Sequence, residues 1–461
     1  MTTMTIPTLN AYRVGGRYVA VRLHVPGSLE PRTSSSTPLH LAILLDISGS
    51  MEGPRLDAVK RTLRAARDMF QATDRVTLIV FDDAATTIAA GLRMTAEGKD
   101  RFYERLERIT AQGCTNLSAG LEKLLEVQQT VEEPYTGLII LTDGHINRGI
   151  VSNTGLRTLV TGLADGFLPV TALGYGAEHN RTLLRDLALR SRGAYTYVDS
   201  DETLPIVMGD LLAGQRCRVL QRASVDLDVV DGDMGWTSAE LDGDGARHVI
   251  GDVVPDRDYW VVYQNNATPP PQRMTAMTVT LRSLTLDDGA PVTTEVLEVA
   301  NTEAEEQVLR CRVAAVSAAV TNLLERSERP EDAYRIQLLA MRTAIESRPQ
   351  PHSPLLHRLR AQIAELLEAM AAVPEQPDDA VTPPGAWASP SPPGPNSVML
   401  ARLSSNTAQL SLQRGVSTST SVSDIGDPAP VAMFSSPVQV AASTTCRTNY
   451  RNRSPSPSPS S

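Results

Sequence analysis

Two apolar runs, Leu41–Leu45 and Gly137–Leu141, each lead to an aspartate, Asp46 and Asp143. Unbroken apolar runs of this length suit parallel strands covered on both faces. A carboxylate at the carboxyl end of such a strand stands on the rim where open α/β sheets bind ligands. Between and beyond these runs, strand and helix signals alternate from residue 39 to residue 213. The helix after the first run places Leu56, Val59, Leu63, Ala66 and Met69 on one side. That alternation predicts a doubly wound α/β domain with acids at its rim.

The first rim loop reads Asp46-Ile47-Ser48-Gly49-Ser50-Met51. Once the chain bends at Gly49, the hydroxyls of Ser48 and Ser50 turn back towards the Asp46 carboxylate. One carboxylate with neutral oxygens suits Mg²⁺, which takes compact octahedral oxygen coordination; Ca²⁺ usually takes more ligands. A helix beginning near Gly53–Pro54 directs its positive end at the same crevice. That end opposes a cation and favours a carboxylate bound to it. Thr115, in the loop Gly113-Cys114-Thr115-Asn116, offers a third hydroxyl, and Asp143 supplies a second acid.

The set Asp46, Ser48, Ser50, Thr115 and Asp143 resembles the metal-ion-dependent adhesion site of von Willebrand factor type A domains. The resemblance implies that these five side chains surround one divalent cation, Mg²⁺ with Mn²⁺ or Ca²⁺ as alternatives, and that a partner's Asp or Glu completes its coordination. Cys114 stands where the family often has glycine. Four more residues are candidates for a partner-binding rim: His145 and Asn147 just after Asp143, Asp82 at another strand end, and His179 near a helix start. A solvated turn is the simpler account of Asp82, and a helix-start role the simpler account of His179.

The formal net charge is −10 over 461 residues, without a block of basic residues. This argues against a broad phosphate-contacting surface for nucleic acid. No apolar run reaches the length of a membrane span. The start, Met1-Thr2-Thr3-Met4-Thr5, lacks a basic segment followed by an apolar core, so no secretory signal is expected. Four scattered cysteines without metal-ligand spacing read as reduced thiols, and the expected location is cytoplasmic.

Five regions are expected. Residues 8–38 carry an N-terminal strand segment that completes a later β-sandwich. Residues 39–213 are the α/β domain, here a von Willebrand factor type A (VWA) domain by resemblance. Residues 214–300 alternate in strand style, as in Val225-Asp226-Leu227-Asp228-Val229 and Tyr259-Trp260-Val261-Val262-Tyr263. They predict an antiparallel β-sandwich into which the α/β domain is inserted or to which it is joined. Residues 301–372 predict three helices separated by Pro330 and by Pro349-Gln350-Pro351. The resemblance implies the same order, since bacterial and intracellular relatives carry a β region followed by helices. Residues 373–461 form a Pro/Ser-rich tail, expected to be largely disordered. Its apolar islands, such as Val398-Met399-Leu400 and Val438–Val440, are candidates to order on a partner.

Two acids around Mg²⁺ also suit phosphoryl transfer. A phosphatase of the haloacid-dehalogenase type needs a second acid two residues after its nucleophile, however, and Ser48 stands there. No positioned lysine, nucleophilic cysteine or histidine–acid pair fills the gap. The expected function is therefore non-enzymatic: a Mg²⁺-dependent protein-interaction scaffold that binds an acidic residue of its partner. Alternatives are a substrate-recruiting subunit of an ATPase or metal-insertase complex, a phosphatase, and a purely structural metal with the helical region as the interaction surface; residues 301–372 are also a candidate surface for self-association.

Overall fold

The computed structural model describes residues 7–26, 38–143, 146–163, 168–176, 179–198, 203–229, 235–239, 245–267, 276–283, 291–326, 328–349, 353–372, 395–412 and 437–452. The chain opens with a hairpin, β1 (Thr8–Val14) and β2 (Tyr18–His24), paired from Thr8↔His24 to Val14↔Tyr18. It then enters the α/β domain with β3 (His40–Asp46), α1 (Pro54–Ala65), β4 (Arg75–Phe81) and β5 (Ala85–Arg93). Next come α2 (Ala96–Glu107), α3 (Leu117–Gln128), β6 (Gly137–Thr142) and α4 (Asn153–Thr161). The domain closes with β7 (Val170–Tyr175), α5 (Arg181–Arg190), β8 (Ala194–Val198) and α6 (Thr203–Arg216).

The six strands form one sheet in the order β5-β4-β3-β6-β7-β8, parallel except for the edge strand β5. Strand β3 is buried along its whole length and serves two cores. Leu41, Ile43 and Leu45 pack beneath α1, α2 and α6, while Ala42 and Leu44 pack beneath α3, α4 and α5. The apolar run thus conceals an alternation of period two, with both phases buried. The strand order reverses between β3 and β6, which sets the rim crevice between their carboxyl ends. Side-chain caps start the helices beside that crevice. Asn116 accepts from Ala119 N before α3, and Asn180 accepts from Leu183 N before α5.

After α6 come β9 (Leu220–Val229), β10 (Trp236–Ser238), β11 (Arg247–Val253), β12 (Asp258–Asn265), β13 (Met277–Arg282) and β14 (Val292–Leu297). They join the N-terminal hairpin in one eight-stranded sheet, β10-β12-β2-β1-β14-β13-β9-β11. The α/β domain is therefore inserted between β2 and β9. Where a sandwich of two separate sheets is expected, a short parallel pairing, Ala11↔Val296 and Tyr12↔Leu297, joins the two halves. The sheet folds over a shared core in which Val21, Val261 and Tyr263 meet Val225, Val279 and the fully buried Trp236. The join pairs the facing edges of β1 and β14, which would otherwise be exposed to other chains.

Helices α7 (Thr302–Glu325), α8 (Asp332–Glu346) and α9 (Pro354–Ala371) follow. The first turns of α7 pack Ala304, Val308 and Cys311 on Trp260 and Val262 of the sheet. Its remainder buries Val313, Val320 and Leu324 against α8 and α9. Helix α7 thus packs on the sheet at its start and on α8 and α9 along the rest of its length.

The tail contributes two further helices, α10 (Pro395–Leu412) and α11 (Pro437–Asn452), which separate its described parts from the expected disorder. The remainder, including the Ser/Pro-rich end 453–461, lies outside the described residues. α10 covers the outer edge of β8, where Tyr197 N donates to Ser405 Oγ at 3.2 Å. Arg185 of α5 donates to Ser404 Oγ at 2.9 Å and to Asn322 Oδ1 at 2.5 Å, tying α10 and α7 to the α/β domain. α11 lies on α6 and α1 and buries Cys446 and Tyr450 in the α/β core. Gly209 permits this approach, because a Cβ there would stand 2.5 Å from Ser443 Cα. Met399 and Leu400 of the first apolar island pack on the helical core of their own chain.

Candidate metal centre

Asp46 ends β3 with no exposed surface. Both of its oxygens are engaged: Ser48 N donates to Oδ1 at 2.8 Å and Thr142 Oγ1 donates to Oδ2 at 2.5 Å. Burial raises the Asp46 pKa, an effect opposed by hydrogen bonds from Ser48 and Thr142 and reinforced by the nearby Asp143 charge. Ser48 is buried and Ser50 is exposed, and their hydroxyls lie 3.2 Å apart. Ser50 Oγ donates to Asp143 Oδ1 at 2.7 Å. The other oxygen, Oδ2, accepts from Arg55 Nη1, which also donates to Ser50 O at 3.1 Å. Three of the sequence candidates, Ser48, Ser50 and Asp143, thus form one hydrogen-bonded row, with Asp46 beneath it.

Thr115 is 3 % exposed and joins the row through its loop. Gly49 N donates to Gly113 O at 3.1 Å, and Gln112 N donates to Ile47 O at 2.6 Å. Gly113 has φ +73°, and a Cβ there would meet Asp83 Oδ2 at 2.9 Å, so both conformation and space favour glycine. Asn147 braces the far side. Its Oδ1 accepts from Thr115 N at 3.1 Å, and its backbone N–H donates to Thr115 O at 3.1 Å.

The rim candidates take different places. Asn147 is exposed and stands next to Thr115. Asp82 is half-buried and accepts from Ala84 N at 3.0 Å while its backbone carbonyl holds Asn116 N, so it shapes the loop. Its neighbour Asp83 faces solvent and pairs with Arg148 at 3.6 Å. His179 is not a rim residue. It is 1 % exposed, with Nδ1 2.6 Å from Gly176 O and Nε2 2.6 Å from Tyr195 OH. Both ring nitrogens are used internally, which removes it from partner contact. His145 lies outside the described residues.

Two residues beyond the sequence candidates belong to this centre. Thr142, immediately before Asp143, holds the Asp46 carboxylate. Arg55, in the first turn of α1, places a guanidinium on Asp143. Their signals were an ordinary threonine at a strand end and an ordinary arginine after a helix start.

Among the described residues, no group of three or more His, Cys, Asp and Glu side chains forms a metal-binding cluster. The arrangement also differs from the expected open cage. Arg55 and the Ser50 hydroxyl satisfy Asp143, as a buried carboxylate requires. The donor chemistry nevertheless suits a hard cation. Two acids and the hydroxyls of Ser48 and Ser50 converge, and one acid already attracts a positive group.

Residues 40–209 match the family profile described as the von Willebrand factor type A domain. This segment is a VWA domain. The likeness in fold extends further along the chain. A von Willebrand factor type A protein from Catenulispora acidiphila superposes with a TM-score of 0.59 at 16 % identity, covering 79 % of this chain and 90 % of that one. The ArnB paralog VWA2 from Sulfolobus acidocaldarius gives 0.51 at 14 % identity, covering 80 % of this chain and 98 % of that one. At these identities the likeness establishes the fold: a VWA domain accompanied by a β-sheet and a helical region.

By sequence, the chain is 29 % identical over 164 residues to an uncharacterized protein of Synechocystis, spanning 35 % of this chain and 38 % of that protein. It is 27 % identical over 252 residues to human inter-alpha-trypsin inhibitor heavy chain H3, spanning 47 % of this chain and 28 % of that protein. The chain therefore spans well under half the length of either relative. VWA domains are in general non-catalytic adhesion and scaffold modules. Among the described residues, no helix is long and apolar enough to cross a membrane.

Proposed function

We propose that this protein is a divalent-metal-dependent interaction scaffold whose VWA rim captures an acidic side chain of a partner protein. The observation that carries the reading is the row Ser48–Ser50–Asp143 above Asp46, at the strand-order reversal of the sheet. Asp46, Ser48, Ser50, Thr115 and Asp143 would hold the ion, with Mg²⁺ preferred and Mn²⁺ or Ca²⁺ as alternatives. When bound, the ion supplies an electrophilic site for a partner's Asp or Glu. The chain's own residues do the rest. Thr142 and Ser48 N fix the Asp46 carboxylate, the bond from Gly49 to Gly113 joins two of the loops, and Asn147 holds Thr115 in place. The exposed Asn147 and Asp83 supply rim contacts that discriminate between partners.

The test is affinity capture from native extract with the full chain and with Asp46→Ala, in Mg²⁺ and in chelator. Proteins retained by the native chain in Mg²⁺ and lost in the other three conditions support the reading. An identified partner held with equal affinity in all four overturns it. Capture of an ATPase on the same pattern would instead favour the substrate-recruiting alternative.

A further inference from the structure

Arg55 follows Pro54 in the first turn of α1, and its guanidinium lies across the solvent side of Asp143. The Asp143 side chain is 0 % exposed, whereas that of Arg55 is 44 % exposed. The same Nη1 donates to Ser50 O at 3.1 Å, anchoring the arginine over the serine loop. Beyond it, the guanidinium reaches over Gly176, where a Cβ would stand 3.3 Å from Nη2. Among the described residues, Asp46 lies beneath and Asp83 faces Arg148.

We propose that Arg55 is a tethered counter-cation that competes with a divalent ion for Asp143. This inference rests on the metal reading above and adds its control. Arg55 holds Asp143 Oδ2 while Ser50 holds Oδ1, so a divalent ion would meet a carboxylate whose charge a guanidinium already offsets. Cation entry would therefore favour the departure of Arg55. The released guanidinium remains attached to the first turn of α1, beside the position that a partner's carboxylate takes. Its planar fork then pairs with that carboxylate. Metal and acidic partner thus bind in concert, and the isolated chain takes up metal weakly. The positive end of α1 acts in the same direction, against the bare cation and in favour of the anion.

The test uses Mn²⁺ alone as probe, with free Mn²⁺ read by electron paramagnetic resonance, on the full chain and on Arg55→Ala, Arg55→Lys and Asp46→Ala. Arg55 is exposed on a helix turn that accommodates alanine, so thermal unfolding is expected to show each Arg55 variant folded. Arg55→Ala is expected to bind Mn²⁺ about tenfold more tightly than the native chain, since it removes a charge-assisted bond to the competing oxygen. Arg55→Lys, which retains the charge and loses the fork, is expected to fall between them. Equal or weaker binding by Arg55→Ala, with Asp46→Ala still impaired, overturns the role of Arg55 and leaves the metal reading standing. Absence of saturable Mn²⁺ binding in both the native chain and Arg55→Ala overturns both.

Discussion

Gly209→Ala is expected to destabilise the full chain and to stabilise one that ends before α11. Gly209 lies inside α6, where alanine would add about 1 kcal/mol of helix propensity. The sequence retains glycine because the backbone of α11 passes over it. A Cβ would stand 2.5 Å from Ser443 Cα and 2.7 Å from both Ala442 O and Ser443 N. Carbon contacts are comfortable at about 3.5–4.0 Å, so α11 must lift by about 1 Å. That displacement strains the packing of Cys446 and Tyr450 and breaks the bond from Ser443 Oγ to Ile206 O, 2.9 Å long. Overpacking at about 1–3 kcal/mol and one hydrogen bond at about 1 kcal/mol outweigh the propensity gain, leaving a net loss of about 2 kcal/mol. In native-state hydrogen exchange, the amides of α11 should then open about thirtyfold more often. Removing residues 437–461 deletes the obstacle. In that background the same substitution should slow exchange in α6, by an amount set by propensity alone. Unchanged protection of α11 in full-length Gly209→Ala, or the same sign in both backgrounds, would refute the close-approach explanation.

Arg216→Met should cost about 3 kcal/mol, because it strands the Asp74 carboxylate, whose side chain is 0 % exposed and otherwise accepts only from Leu39 N at 3.0 Å and Gln71 N at 2.6 Å among its described contacts. A fall in the urea midpoint of the VWA domain, recovered in Asp74→Asn/Arg216→Met, checks it. His40 is buried, with Nδ1 2.8 Å from Glu133 O and Nε2 3.0 Å from Thr77 Oγ1. Burial lowers its pKa, partly offset by the Glu133 carbonyl. The unfolded chain therefore takes up this proton first as pH falls. The His40 contribution is complete above about pH 6.5 and is lost progressively below it. Melting temperature should drop between about pH 7 and pH 5, with a shallower slope in His40→Gln.

The elements that position the centre were legible because their signals are local. Leu41–Leu45 and Gly137–Leu141 are too apolar for any setting but a buried strand, and the following residues had to reach the rim. Ser50 and Asp143 accordingly meet at 2.7 Å. His179 escaped correct placement because nothing local reveals that Tyr195 and the Gly176 carbonyl occupy its two nitrogens. Arg55 was invisible as a site residue for a similar reason: its pairing with Asp143 joins residues 88 positions apart. The tail posed the opposite difficulty. Composition lowers the expectation of structure for residues 373–461, but helices α10 and α11 borrow their apolar contacts from β8 and α6 rather than from each other. The two halves of the β-sheet were readable strand by strand. Their parallel join at Ala11↔Val296 was not, since the pairing depends on which edges are left over.

Insertion of one domain within another sets a timetable for biosynthesis. Strand β2 ends at His24, and its neighbour β12 begins only at Asp258. At about 5–20 residues per second, the nascent hairpin waits on the order of tens of seconds for that neighbour to leave the ribosome. Meanwhile every strand of the VWA sheet has emerged. The β-sheet must then assemble around a neighbour already formed, and α11 arrives last of all to cover α6 and α1. A ribosome-bound chain halted before Asp258 should therefore display the VWA domain with α6 and α1 uncovered, beside a hairpin whose unpaired edge invites chaperones.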